Sequence, residues 1–169
     1  MSSSTLHTPR ASDGTGAAIR EAVTAVAGES FFALVGDCDD PAAEPRPPLW
    51  LFSVVRFDNG STTGSLLCWL PPALAQALFD SFSGRDPSEP PPAAHQINDL
   101  VGEFSNMVCG DWLCRSRGRR AFQLSPPIVV RAPRPEGQAR QRIWVTVNEH
   151  PLAVEWDITS SSDVCEAAR

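Results

Sequence analysis

The chain contains no lysine and no tyrosine, and all 14 of its cationic residues are arginine. We read that as compositional bias, but the charge balance that results has consequences. With 20 acids the formal net charge is -6 and the pI is near 5.0, so the basic footprint that nucleic acid or an anionic membrane surface calls for is missing. Five cysteines, Cys38, Cys68, Cys109, Cys114 and Cys165, include no CxxC pair and no histidine spaced to complete a zinc site. Reduced thiols in a cytosolic protein are expected. No basic segment near the N-terminus precedes an apolar run of about 7–15 residues, and no stretch approaches the roughly 20 apolar residues that span a bilayer. A soluble cytoplasmic chain is therefore expected, with no nucleic-acid partner and no membrane insertion. A tandem repeat with a period of about 20–50 residues is also absent.

What is present fits one domain. A chain of 169 residues with 42% hydrophobic content can bury a sizeable core. Residues 1–13, rich in Ser and Thr, read as a disordered leader, residues 14–159 as the domain, and residues 160–169 as a frayed tail. Ile19, Val23 and Val26 space a first helix from Ala17 to about Gly28, and Phe31, Phe32, Leu34 and Val35 suggest a buried strand. Four prolines between Asp37 and Pro48 make a loop. Leu49–Phe57 and Thr62–Leu70 flank Asp58-Asn59-Gly60 as a β-hairpin. A second helix begins at Pro71-Pro72 and stops at Gly84.

After a proline-rich connector, Arg85 to Pro92, a third helix starts near His95. Ala121–Leu124 and Ile128–Arg131 read as strand, interrupted by Pro126-Pro127 at an edge or bend. Arg140–Val147 and Leu152–Ile158 form a last hairpin. This order implies an α+β sandwich of two or three layers, an antiparallel β-sheet with helices packed on one face. The tryptophans Trp50, Trp69, Trp112, Trp144 and Trp156 are assigned to the core or to a dimer interface. His7, His95 and His150 are isolated near turns and are taken as surface residues.

The third helix carries the most informative pattern, Asp99-Leu-Val-Gly-Glu103-Phe-Ser-Asn106-Met-Val-Cys-Gly110. At about 100° per residue from Ile97, Asn106 falls near 180°, Asp99 near 200°, Gly110 near 220° and Glu103 near 240°. Ile97, Leu100, Val101, Phe104 and Val108 lie opposite, so the polar stripe is expected to face outward. Gly102 and Gly110, on the outward half, each weaken the helix by about 1 kcal/mol. Close approach of another backbone would use their missing Cβ, and the alternative for Gly110 is that it helps end the helix. Without further context an exposed Asp, Glu and Asn are an ordinary solvated face. Arg115, Arg117, Arg119 and Arg120 complement the negative end of the helix, or dock on an acidic partner. Cys109 reads as a packed thiol. A glycosidase pair of Asp99 and Glu103 is discounted, because adjacent turns of one exposed helix make no sugar cleft.

Asp99-x3-Glu103-x2-Asn106 followed by Met-Val-Cys-Gly110 resembles the Asp/Ser-x3-Glu-x2-Asn signature of the CheC/CheX/FliY phosphatases of bacterial chemotaxis, and the single copy is most similar to CheX. The family pattern continues to a proline beyond the Asn, for which Pro126 and Pro127 stand slightly early. The resemblance implies a CheX-like fold and hydrolysis of the phosphoaspartate on a CheY-like receiver domain. Asn106 would position the attacking water and Glu103 would pair with the receiver's lysine. Asp99, Gly102 and Gly110 would meet the partner, with Asp99 either steadying a neighbour or touching the receiver. No cofactor is implied in this chain, because the Mg2+ belongs to the receiver, and a homodimer is implied. The bare chemistry agrees, since phosphoryl transfer asks mainly for positioning and charge stabilisation. The alternatives are a non-catalytic adaptor that binds a receiver or motor component through the same helix, and a dimeric scaffold with no receiver partner.

Overall fold

The Asp58-Asn59-Gly60 turn sets the register of the central hairpin. In the computed structural model, which describes residues 13–38, 49–86, 88–118, 120–134 and 141–160, Gly60 takes φ +83° and its N–H donates to Asp58 Oδ1 at 2.6 Å. Asn59 Oδ1 accepts from the N–H of Thr62 at 2.8 Å. These local bonds suit Asp and Asn at a turn. They place strand β2, Trp50–Asp58, antiparallel to β3, Thr62–Leu70, with Leu51 opposite Leu70 and Asp58 opposite Thr63.

Around this hairpin the remaining strands are β1, Val35–Asp37, β4, Gln123–Leu124, β5, Ile128–Ala132, β6, Gln141–Val147, and β7, His150–Ser160. The order is β1-β6-β7-β3-β2-β4, with β5 also on β2, and every described pairing is antiparallel. Strands β4 and β5 are two parts of one broken edge. Between them Ser125 keeps the pairing, its N–H donating to Arg56 O at 2.8 Å and its Oγ accepting from Arg56 N–H at 3.0 Å. Pro126 and Pro127 follow in the break between the two paired segments, where no ladder bond to β2 calls for a donor.

Helices α1, Asp13–Phe31, α2, Pro72–Ser83, and α3, Ala94–Arg117, cover one face. Alternate strand residues, among them Leu51, Val55, Phe57, Leu66, Leu70, Val145, Leu152, Val154 and Trp156, meet Ile19, Val23, Leu74, Leu78, Phe104 and Trp112 from the helices. The fold is α+β, an antiparallel sheet with three helices. Pro72 occupies the first turn of α2, and Gly84 at φ +62° ends it. On the other face Trp50, Trp69, Trp144 and Ala153 form a second cluster. There the Arg134 guanidinium lies 4.4 Å from the Trp144 ring centroid, and the Arg142 Nε donates to buried Glu155 at 2.7 Å.

Several boundaries differ from those expected. Helix α1 runs past Gly28 to Phe31, because the Phe31 ring is buried between Phe104 and Phe82, each 5.4 Å away. Tertiary burial outweighs the helix-breaking tendency of Gly28. The buried strand expected at Phe31–Val35 is corrected as well. Phe32 turns the chain at φ +52°, Phe32 and Leu34 are 78% and 82% exposed, and pairing starts only at Val35. Leu34 is instead clamped to Asn148, donating to its Oδ1 and accepting from its N–H, both at 2.9 Å. The segments expected as leader and tail lie outside the described residues, apart from Asp13 in α1 and Ser160 in β7; residues 39–48 of the expected loop lie outside them too. Among the described residues no helix is long and apolar enough to cross a membrane.

The packing makes a graded prediction. Phe104→Ala should cost about 3–5 kcal/mol in urea unfolding, whereas Phe82→Ala, at a ring that is 57% exposed, should cost under about 1 kcal/mol. Equal costs would contradict this core.

Candidate functional site

Helix α3 begins where the proline-rich connector lets it. Arg85 ties that connector down, its Nε donating to Asp80 Oδ1 at 2.7 Å and its Nη1 to Glu89 O at 2.7 Å. The guanidinium beside Asp80 holds the carboxyl below its ordinary pKa. At the first turn the Ala93 N–H donates to Gln96 Oε1 at 2.9 Å, satisfying a donor the helix leaves open. At the far end Gly118 takes φ +64°, and Arg115 and Arg117 occupy the last turn, where cations meet the negative end of the dipole. Arg115 also pairs with Asp111 one turn earlier; Arg119 lies outside the described residues.

The helix is seated deeply. It lies along α1 and over β2, with β5 at its flank, burying Ile97, Leu100, Val101, Phe104, Val108 and Trp112. What remains outward is a narrow stripe. Asp99 and Glu103 are exposed, and Asn106 and Gly110 are half-buried. Three residues apart on a helix, Glu103 and Asn106 have Cβ atoms about 5–6 Å apart on one surface. Among the described residues no hydrogen bond or ion pair occupies the side chains of Asp99, Glu103 or Asn106. The acid and the amide are therefore available to a visitor, on a rod whose other side is fixed.

Of the two glycines expected to meet a partner, Gly102 differs from that expectation. Gly102 does not face outward; it is buried. A Cβ there would lie 3.0 Å from Pro127 Cγ, because the broken edge of the sheet closes over this flank of the helix. The missing Cβ thus admits this chain's own proline, and Gly102 offers no surface to a partner. Gly110 does not end the helix, which continues seven residues to Arg117, and a Cβ at Gly110 would meet only Leu124 Cδ1 at 4.0 Å. What the sequence pattern did not show is the contact of Pro127 with Gly102, although it set the proline pair at an edge or bend, where it lies. The signals of that contact were a proline pair slightly early for the signature and a glycine inside an amphipathic helix.

Beneath the stripe lies a seam of small polar groups. Ser105 Oγ donates to Val101 O at 2.8 Å, and Ser53, Cys68 and Cys109 are fully buried. Burial pushes the Cys68 and Cys109 thiols up to about 12, against a smaller opposing pull on Cys68 from the Ser105 hydroxyl. Neither thiol is a nucleophile. Among the described residues no group of three or more His, Cys, Asp or Glu could hold a metal ion.

Residues 52–147 match the family described as chemotaxis phosphatase CheX. The chain belongs to the CheX family. Its fold is similar to that of solved relatives at low sequence identity. The CheX of Vibrio vulnificus matches with TM-score 0.64 and 16% identity over 89% of this chain and 99% of that one. A chemotaxis protein of Desulfovibrio vulgaris Hildenborough matches with TM-score 0.67 and 17% identity over 88% and 98%. The CheX of Borrelia burgdorferi, solved as a CheX-CheY-BeF3-Mg2+ complex, matches with TM-score 0.63 and 12% identity over 86% and 98%. No curated protein sequence matches. The CheX-family matches thus span the hairpin, α2 and all of α3, the elements that build the stripe.

The thiols test the seat of α3. Iodoacetamide at about pH 8 is predicted to label Cys114, which is exposed, and to spare Cys68 and Cys109 in the folded protein. Peptide mapping that finds either buried thiol labelled as fast as Cys114 would contradict this packing. The folded state also keeps thiol protons that the unfolded chain releases from about pH 8.5. Stability is therefore predicted to be intact below that pH and to fall as pH rises towards 12.

Proposed function

We propose that this CheX-family protein hydrolyses the aspartyl phosphate of a CheY-type response-regulator receiver. Asn106 positions the attacking water and Glu103 pairs with a lysine of the receiver. The observation that carries this reading is the joint projection of Glu103 and Asn106 from a deeply seated helix, on the sequence signature of a phosphatase family. The solved CheX-CheY complex of a relative supports a receiver as the partner.

The chemistry asks little of this chain beyond placement. An amide both donates and accepts hydrogen bonds, so Asn106 can hold a water in line with the phosphorus. The water oxygen forms a new bond to phosphorus as the bond to the aspartyl oxygen breaks, and the aspartate leaves with the electron pair. The water proton passes to the released phosphate or to solvent. No general base is needed in this chain, because positioning and charge stabilisation dominate phosphoryl transfer. In this reading Mg2+ is part of the receiver and supplies charge neutralisation at the phosphoryl oxygens. Glu103, exposed beside Asn106, anchors the partner through a charge-assisted bond. Asp99, one turn earlier, meets the receiver surface or steadies Glu103. The cytoplasm, expected from the sequence, and a homodimer, which the resemblance to CheX implies, complete the reading; light scattering on the purified protein tests the dimer, and a monomer mass removes it.

The deciding experiment follows loss of acyl phosphate from a phosphorylated receiver. The wild-type protein is expected to accelerate the loss, and Asn106→Ala to lower kcat by about a hundredfold or more. Glu103→Ala is expected to weaken receiver binding by about 1.5–3 kcal/mol, the range of a hydrogen bond to a charged group. Full acceleration by Asn106→Ala would overturn the assignment. Binding without any change in phosphate lifetime would leave the non-catalytic adaptor.

A further inference from the structure

At Gly102 helix α3 packs closely against the broken edge of the sheet. A Cβ built on Gly102 would lie 3.0 Å from Pro127 Cγ, 3.4 Å from Pro127 Cβ and 3.6 Å from Val129 Cγ2. The first of these is tighter than an ordinary van der Waals contact, and the atom it meets belongs to a proline ring. That ring is closed onto its own backbone, so a change of pucker is the one internal movement open to it. The backbone around it is held as well. Ser125 exchanges two hydrogen bonds with Arg56 just before it, and Ile128 and Val129 pair with Val54 and Ser53 just after it. An alanine at 102 would therefore press on a ring with little room to give, and what the pucker does not absorb falls on α3 or on the edge strand.

A shift of α3 would act on the stripe directly. Gly102 is bonded to Glu103 and stands four residues before Asn106, one helical turn away. Along the same helix Gly110 has no comparable seat, its Cβ position lying 4.0 Å from the flexible end of Leu124. The tight contact is thus beside the acid and the amide and not spread along α3.

We propose that Gly102 and Pro127 are positioning residues. Their contact fixes how far Glu103 and Asn106 project, and so where Asn106 holds its water relative to a docked receiver. The inference rests on the reading of α3 as the receiver-facing helix. Neither residue touches the partner. Their effect is on geometry, to which an in-line displacement is steeply sensitive, a misplacement of about 1 Å costing on the order of a hundredfold in rate.

The test compares the full-length wild-type chain with Gly102→Ala, Pro127→Ala and the double variant, measuring kcat and KM on a phosphorylated receiver and folding by circular dichroism. Gly102→Ala is expected to lower kcat by about tenfold or more while KM stays within about threefold. Removing the ring makes room for the new methyl group, so Gly102→Ala in the Pro127→Ala background is expected to keep kcat within about threefold of Pro127→Ala alone. A wild-type kcat in Gly102→Ala, or a tenfold loss that persists in the double variant, would overturn the inference. If Gly102→Ala does not fold, the comparison of the double variant with Pro127→Ala decides on the same criterion. A wild-type protein that leaves phosphate lifetime unchanged overturns the receiver-phosphatase reading and this inference with it. Wild-type acceleration alongside an unaffected Gly102→Ala overturns the inference alone.

Discussion

The structure depends on burying one long helix along about half its circumference while leaving a polar stripe free. Helix α3 meets α1, β2 and β5 at once, and the side chains it buries, Phe104, Val108 and Trp112 among them, are fully enclosed. Each large apolar side chain enclosed in this way is worth about 1.5–3 kcal/mol, far more than the glycines at 102 and 110 cost in helix propensity. The apolar side thus holds the helix against a penalty that, at Gly102, its contact with the sheet edge requires. Rigidity on the inner side is what gives meaning to the spacing on the outer side, since a stripe on a fraying helix would present no fixed geometry.

The sheet serves this helix asymmetrically. Its helical face supplies the floor, and its edge, broken into β4 and β5 by Pro126 and Pro127, supplies a wall. An unbroken strand here would carry side chains past α3 in strict alternation. The proline pair instead directs a compact ring at Gly102, one of two positions where α3 has no Cβ. On the opposite face the aromatic cluster of Trp50, Trp69 and Trp144, with Arg134 stacked on it and the Arg142–Glu155 pair beside it, encloses apolar surface with none of the described helices on it. The division leaves α3 as the element on which the proposed chemistry is concentrated.

Much of this was legible in the sequence because its determinants are local. The Asp58-Asn59-Gly60 turn, Pro72 at the start of α2, Gly84 at its end and the 3.6-residue periodicity around Phe104 each act over a few residues. The outward placement of Asp99, Glu103 and Asn106 followed from the same periodicity. What was not legible depends on contacts between distant segments. Phe31 extends α1 past Gly28 only because Phe104 and Phe82 receive its ring. Phe32 and Leu34 are hydrophobic yet exposed because the chain turns there and is clamped to Asn148. Gly102 sat near the edge of the outward half on a helical wheel, and only the return of the chain twenty-five residues later, at Pro127, decides that it is covered. A wheel describes directions around one axis and carries no information about what comes back to meet it.

The central claim is that Glu103 and Asn106 enter a receiver's active site together from a fixed helix. A crystal structure of this protein with a CheY-type receiver loaded with BeF3 and Mg2+ tests it most directly. The account predicts the Asn106 amide within hydrogen-bond reach, about 3 Å, of a water in line at the beryllium, with Glu103 paired to a receiver lysine. A receiver seated on the sheet face opposite the helices, or one that leaves Asn106 in bulk solvent, would contradict it.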